Sequence, residues 1–325
     1  MIVSIIQRAV MQGIPLLYGS TGEIITEKSG NLNLGIPGIM YVGAISGVIG
    51  AFFYENKAPN FNPILAVIIP LICSIIGSLL MGLLYCFLTV TLRSNQNVTG
   101  LAMTTFGVGF GNFFGGSLIK LTDSDVPSIA LVQTSKCFKT PLPFADKLGT
   151  VGELIFSYSF LAYGAIIIAV LATVFLSKTR KGLHLRAVGE SPATADAAGL
   201  NVSRYKYFST CIGSVIAGLG GLYYVMDYAD GIWSNNAFGD RGWLAIALVI
   251  FAVWKPSFSI AGSILFGGLL VAYNYIPGLS FEQTELIKTI PYVATILVLI
   301  ITSMRQKKEN QPPASLGLPY FREER

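Results

Sequence analysis

Residues 63–92, PILAVIIPLICSIIGSLLMGLLYCFLTVTL, run for thirty positions without an Asp, Glu, Lys, Arg or His. A helix rises about 1.5 Å per residue, so about 20 apolar residues cross the hydrocarbon core of a bilayer. This run is long enough to cross at a tilt or to reach beyond the lipid. The same signature recurs on both sides of it, at 2–20, 36–54, 98–117, 154–176, 204–226, 241–254, 258–276 and 288–304. The expectation is an all-α integral membrane protein of about nine transmembrane helices, within roughly eight to ten. Composition agrees. The 325 residues are 53% hydrophobic and 12% charged, with mean hydropathy +0.63, whereas soluble domains carry about 25% charged residues. The first run contains Gln7 and Arg8 and lacks a small-residue cleavage site, so it reads as retained.

The charges set an orientation. Lys178, Arg180, Lys181, Arg186, Arg204 and Lys206 fall in 177–206, Arg305, Lys307 and Lys308 follow the last span, and Arg93 and Lys255 occupy short turns. All fall on one side of a nine-helix arrangement, which the positive-inside rule makes cytoplasmic. The opposite loops are balanced (118–153) or acidic, with Asp227, Asp230 and Asp240 in 227–240. One transmembrane domain over 1–304 is expected, with an extracytoplasmic loop at 118–153, a cytoplasmic coupling loop at 177–203 and a cytoplasmic tail at 305–325. The net charge of +5 sits at helix ends and offers no nucleic-acid patch. Cys73, Cys86 and Cys211 lie in apolar runs and Cys137 in a polar stretch, so no disulfide framework is implied.

Between the first two apolar runs, GSTGEIITEKSGNLNLGIPG (19–38) carries Glu23, Glu27, Lys28, Asn31 and Asn33. It reads either as a loop or as a broken helix near 19–35 whose unwound backbone lines a cavity. Irregular backbone at membrane depth survives only where protein or water covers it, and an ionisable group at the bilayer centre costs about 2.5–3.5 kcal/mol on insertion scales. Asn95, Gln96, Asn97 and Thr99 either cap the fourth helix or reach a path. Asn112 and Asn274 are intramembrane amides in need of partners. Glycines such as Gly43, Gly107, Gly213 and Gly218 let backbones approach, within the subunit or across a dimer face. Tyr223, Tyr224, Trp233 and Trp243 read as an interfacial aromatic belt.

The segment GLHLRAVGESPATADAAGL (182–200) is the most informative. Ser191 suits an N-cap, Pro192 the first helical position and Gly199 a C-terminal stop, giving a short cytoplasmic helix near 192–198. A bare connector has no need of a capped helix; a helix that docks into a partner does. His184 is the only histidine and makes no metal site by itself.

These residues resemble the coupling region of permease subunits of ATP-binding-cassette importers, in the family that serves ribose, other simple sugars, nucleosides and branched-chain amino acids. GEIITEKSGNLNLGIPGIMYVGA, NQNVTGLA at 95–102 and RGWLAIALVIFAVWKP at 241–256 agree in order, and the tail PPASLGLPYF is similar to the nucleoside-type branch. The chain departs from the family at Pro37, where an acidic residue is common, and at Thr104, where asparagine is frequent.

The resemblance implies a permease that translocates a small polar solute, most simply nucleosides, with a ribose-type sugar permease as the alternative. It implies a bacterial inner-membrane location with a cytoplasmic C-terminus. It implies no cofactor in this chain, and ATP and magnesium in a partner ATP-binding subunit. No G-x-x-x-x-G-K-[ST] phosphate loop occurs in the sequence. The further partners implied are a second permease subunit, paralogous or identical, and an extracytoplasmic substrate-binding lipoprotein. Coupling to the ATPase is placed on Arg186, Gly189, Glu190, Pro192, Ala195, Ala198 and Gly199. The substrate path is placed on Glu23, Asn31, Asn33, Gly35, Asn95, Thr99, Gly100 and Asn112. An ion-coupled secondary transporter is a weaker reading, because the spans hold almost no carboxylates besides Glu23 and Glu27. No nucleophile–base pattern or metal-ligand cluster suggests an enzyme.

Overall fold

The computed structural model describes residues 2–57, 60–121, 128–140, 149–276, 278–305 and 311–322. Its helices are α1 (Ile2–Glu27), α2 (Ile36–Lys57), α3 (Pro63–Cys86), α4 (Gln96–Ile119), α5 (Val132–Phe138), α6 (Gly149–Phe156), α7 (Phe160–Lys178), α8 (Arg180–Glu190), α9 (Pro192–Ala197), α10 (Val202–Tyr223), α11 (Arg241–Phe251), α12 (Pro256–Ala272), α13 (Phe281–Lys288) and α14 (Ile290–Arg305). Single π-helical turns extend α3 through Thr91 and α10 through Tyr228. The two-residue strands β1 (Ile129–Ala130) and β2 (Ile232–Trp233) pair antiparallel.

Among the described residues, six segments are long and apolar enough to cross a membrane: Ile36–Lys57, Pro63–Thr91, Phe160–Lys178, Val202–Tyr228, Pro256–Tyr275 and Phe281–Ile301. Three of the nine expected spans differ from these. α1 and α4 have the length, at 26 and 24 residues, but carry polar residues or glycines. α11 has 11 residues, about 16 Å of helix, which is too short to cross alone.

α1 is the axis of the molecule, lying against α10, α12, α11 and α7. From Gln12 to Glu27 every side chain is buried, including Gln12, Ser20, Thr21, Glu23, Thr26 and Glu27. Close approach makes this possible. A β-carbon at Gly22 would collide with the backbone of Gly213, and one at Gly43 with the backbone of Gly218. These small residues serve packing inside the subunit.

The two ends of the bundle are distinct. At one end Thr134 donates through N–H and Oγ1 to Glu55 Oε2 (3.2 and 2.8 Å), Ser135 Oγ donates to the Met226 carbonyl (2.7 Å) and Lys139 pairs with Asp230. The balanced and acidic loops therefore lie together. At the other end the turn after α1, the α8–α9 segment, Arg93, Lys255 and residues 311–322 converge. The basic segments thus share one end, as the charge pattern predicts; Lys307 and Lys308 lie outside the described residues.

Three expectations change. The helix continues through residues 19–27, so the break is confined to 28–35: buried neighbours replace lipid around the polar residues. The coupling segment 177–203 holds a second helix before the expected short one: Thr179 caps α8 by accepting from the Gly182 N–H (3.0 Å). Tyr223, Tyr224 and Trp233 are buried in the core and form no interfacial belt.

Candidate functional site

The break at 28–35 is a hydrogen-bonded knot. Gly30 takes the left-handed conformation at φ +81°, which glycine adopts without a steric cost. Beyond it the chain extends alongside α4, and five backbone groups that leave the helix find side chains. Leu32 N–H donates to Gln96 Oε1 (2.7 Å), Asn33 N–H to Glu23 Oε1 (2.9 Å), and Gly35 N–H to Asn33 Oδ1 (2.9 Å). Tyr85 donates to the Leu32 carbonyl, and Thr104 Oγ1 to the Leu34 carbonyl at 2.8 Å. Asn31 Nδ2 reaches Thr210 Oγ1 at 3.0 Å. Asn31 Oδ1 and Asn33 Nδ2 remain buried without a partner, each at a cost of about 1–3 kcal/mol.

Glu23 and Glu27 lie one helical turn apart, both buried. The Trp254 indole N–H donates to Glu27 Oε2. Trp254 is held there by an unusual backbone: Val253 and Trp254 both have positive φ, at 54° and 53°. A β-branched residue rarely enters that region, and such strain persists only where the surroundings enforce it.

The knot meets α8 and the tail directly. Gly189 abuts the Lys28 carbonyl so closely that a side chain has no room. Ser315 donates to the Gly189 carbonyl through N–H (3.1 Å) and Oγ (2.5 Å), and Gly317 N–H donates to the Gly30 carbonyl (3.3 Å). Tyr320 OH and Arg322 Nε both reach Asp196 Oδ2, at 2.9 and 3.1 Å. The tail therefore ties α9 to the knot. Burial lowers the Lys28 amine below the ordinary lysine range, and nearby Glu190 opposes that shift. A cleft of about 600 Å³ opens between Lys28, Arg186, Glu190, Lys255 and Pro313.

α9 itself is capped as its sequence predicts. Ser191 Oγ accepts from the Thr194 N–H (3.4 Å), Pro192 is first in the helix, and Gly199 follows at φ +84°. Of the residues assigned to coupling, Arg186, Glu190, Ala198 and Gly199 are exposed and Pro192 half-buried. Gly189 and Ala195 face inward, Ala195 packing with Val188 and Val202.

The residues assigned to a substrate path separate into two places. Glu23, Asn31, Asn33, Gly35 and Gly100 belong to the knot, where Gly100 touches Leu34. Asn95 caps α4 by accepting from the Val98 N–H (3.1 Å), and Thr99 Oγ1 bonds Ser94 Oγ (2.9 Å). Asn112 lies about 18 Å further along α4 at ~1.5 Å per residue. It accepts from Tyr41 OH (2.5 Å) and donates to Asn236 Oδ1 (2.9 Å). Tyr85, Thr210, Trp254 and Ser315 went unrecognised in the sequence, which gives no local mark of contacts 53–227 residues apart.

A buried polar axis, a knotted break and a capped helix between two long spans define a polytopic α-helical membrane protein. The chain belongs to the family described as branched-chain amino acid transport system / permease component, whose model matches residues 5–300. It is similar to the nucleoside ABC transporter permease protein NupC of Lactococcus lactis, 29% identical over 91% of each chain. It is 27% identical to the guanosine ABC transporter permease protein NupQ of Bacillus subtilis, over 99% of this chain and 97% of the relative. It is 28% identical to the putative glucose ABC transporter permease protein TsgC13 of Haloferax volcanii, over 98% of each.

Proposed function

We propose that this chain is the membrane-spanning subunit of an ATP-driven importer for nucleosides, in a bacterial inner membrane with its C-terminus cytoplasmic. The observation that carries the coupling role is α9: a capped, partly exposed helix that is bonded through the tail and Gly189 to the break at the end of α1. ATP hydrolysis belongs to a separate ATP-binding subunit that docks on Arg186, Glu190 and the exposed face of α9. Closure of that partner displaces α8 and α9, and the displacement reaches the knot through Gly189, Ser315 and Gly317. The knot is then the cytoplasmic gate, and its unpaired amide atoms favour a second arrangement in which they are satisfied. A second permease subunit, paralogous or identical, and a substrate-binding lipoprotein on the loop 118–153 complete the assembly. Two relatives named for nucleoside or guanosine transport support the substrate. The glucose-permease relative supports a sugar as the second reading.

The test is uptake of labelled guanosine and of ribose by cells or proteoliposomes carrying the whole transporter, with and without a working ATP-binding subunit. ATPase-dependent guanosine uptake that ribose competes poorly is expected. Ribose uptake alone would shift the assignment to the sugar branch. Uptake indifferent to the ATPase would remove the importer reading. The double reversal Arg186→Glu/Glu190→Arg is expected to leave insertion intact and to separate ATP hydrolysis from uptake.

A further inference from the structure

α11 is a half-helix, and the chain before it enters the bundle as irregular backbone. Ala245 abuts Gly19 in the middle of α1, and Trp254 bonds Glu27 at its end. α11 therefore runs beside only the half of α1 nearer the knot. Residues 233–241 run beside α4 and α2. Trp233 Nε1 crowds Gly115 of α4, Asn236 meets Asn112 and Tyr41, and Gly242 presses on Pro37 at the start of α2. The first turn of α11 thus begins within the bundle, level with the start of α2, and no side-chain cap from Asp240 covers its N–H groups.

This segment is not covered by the subunit. Asn235, Asn236 and Asp240 are exposed, and so are Thr105 and Gly109 on the adjoining face of α4. A β-carbon at Gly109 meets nothing within 4 Å. Exposed irregular backbone with amide side chains does not face hydrocarbon, because its polar groups would have no partners. It faces water or solute. An independent feature points the same way: Trp233 is 2% exposed, yet its Nε1 has no hydrogen-bond partner, and it stands beside Asn235 at Gly115. Arg241 is already engaged, donating to Gln12 Oε1 (3.3 Å) and the Phe238 carbonyl (2.9 Å) and lying 4.4 Å over the Tyr224 ring. The exposed face therefore offers amides beside the half-buried start of α11 rather than a free cation.

We propose that Asn112, Asn235, Asn236 and the open first turn of α11 form a station that holds a neutral, hydrogen-bonding solute part-way across the membrane. Amides supply donors and acceptors together, which matches the edge of a nucleobase or the hydroxyls of a sugar. The helix N-terminus favours an acceptor oxygen on that solute. The assignment deepens the importer reading and rests on it.

The experiment uses the whole transporter in proteoliposomes, with Cys73, Cys86, Cys137 and Cys211 replaced. Asn235→Cys is expected to react with a membrane-impermeant thiol reagent and to be shielded by saturating guanosine. Ile72→Cys on the lipid face of α3 is the unreactive comparison. Should the background lacking native cysteines not assemble, the same labelling is read at position 235 over the native four. Asn236→Ala is expected to raise the KM for uptake about tenfold, the worth of one or two lost hydrogen bonds to solute, while insertion is unchanged. An Asn235→Cys transporter that does not react, or one whose new thiol neither guanosine nor ribose shields, overturns the station. So does an unchanged KM in Asn236→Ala. Shielding by ribose and not guanosine keeps the station and changes its solute. Loss of ATP dependence in the unmodified transporter instead overturns the importer reading, and is measured first.

Discussion

α1 and α3 are both long enough to cross a bilayer, yet they have opposite chemistry. Pro63–Thr91 carries no charged residue, and 28% of its most apolar stretch is buried inside the protein. α1 carries two carboxylates, Gln12 and several hydroxyls, and from Gln12 onward it is enclosed on all sides. Apolarity in a membrane helix reports contact with lipid. A helix surrounded by protein is released from that requirement, because neighbouring helices satisfy what hydrocarbon cannot. α2 shows an intermediate case, apolar and 83% buried over its window.

This contrast breaks most readily at the helix contacts. Gly22→Leu drives a side chain into the backbone of Gly213, and the loss is expected to reach the top of the ~1–3 kcal/mol range for overpacking, or to abolish the folded protein. Thermal unfolding in detergent reads it; a midpoint near the wild-type value means α1 is not the packed axis. Trp254→Phe removes the donor to Glu27 and leaves a buried acceptor unpaired, so a loss of about 1–3 kcal/mol is expected by the same measurement. No change there would detach Trp254 from the structural role its backbone strain implies. Glu23→Gln keeps an acceptor for the Asn33 N–H and nearly the same shape, and its new amide N–H is one turn from the Glu27 carboxylate, so a loss of no more than about 1 kcal/mol is expected. Ile72→Ala, on the lipid face of α3, is expected to move the midpoint least, within about ±0.5 kcal/mol. A large effect at Ile72 would mean that another chain, not lipid, covers this face.

The same contrast explains what the sequence discloses. α2, α3, α10 and α12 are legible because length and apolarity coincide. α9 is legible because capping is local: Ser191, Pro192 and Gly199 lie within nine residues. The full extent of α1 is hidden, since Glu23 and Glu27 look like the start of a loop until their neighbours are known. α8 is hidden by Lys181, Arg186 and two glycines, which carry no membrane signature. The half-length of α11 is concealed by Val253 and Trp254, which extend its apolar run past the helix end. The polar character of 28–35 is readable, but not its partners, because Gln96, Thr210 and Ser315 arrive from elsewhere in the chain.

The Gly22–Gly213 contact also has a consequence in time. α1 emerges from the ribosome before α10, whose Gly213 is nearly 200 residues behind Gly22. At about 5–20 residues per second of synthesis, the delay is on the order of 10–40 seconds. Throughout that interval a helix bearing Glu23 and Glu27 stands without α10. Its polar face must be sheltered by the insertion machinery or by water at the membrane surface until α10 arrives, which makes the birth of this protein a matter of waiting as much as of inserting.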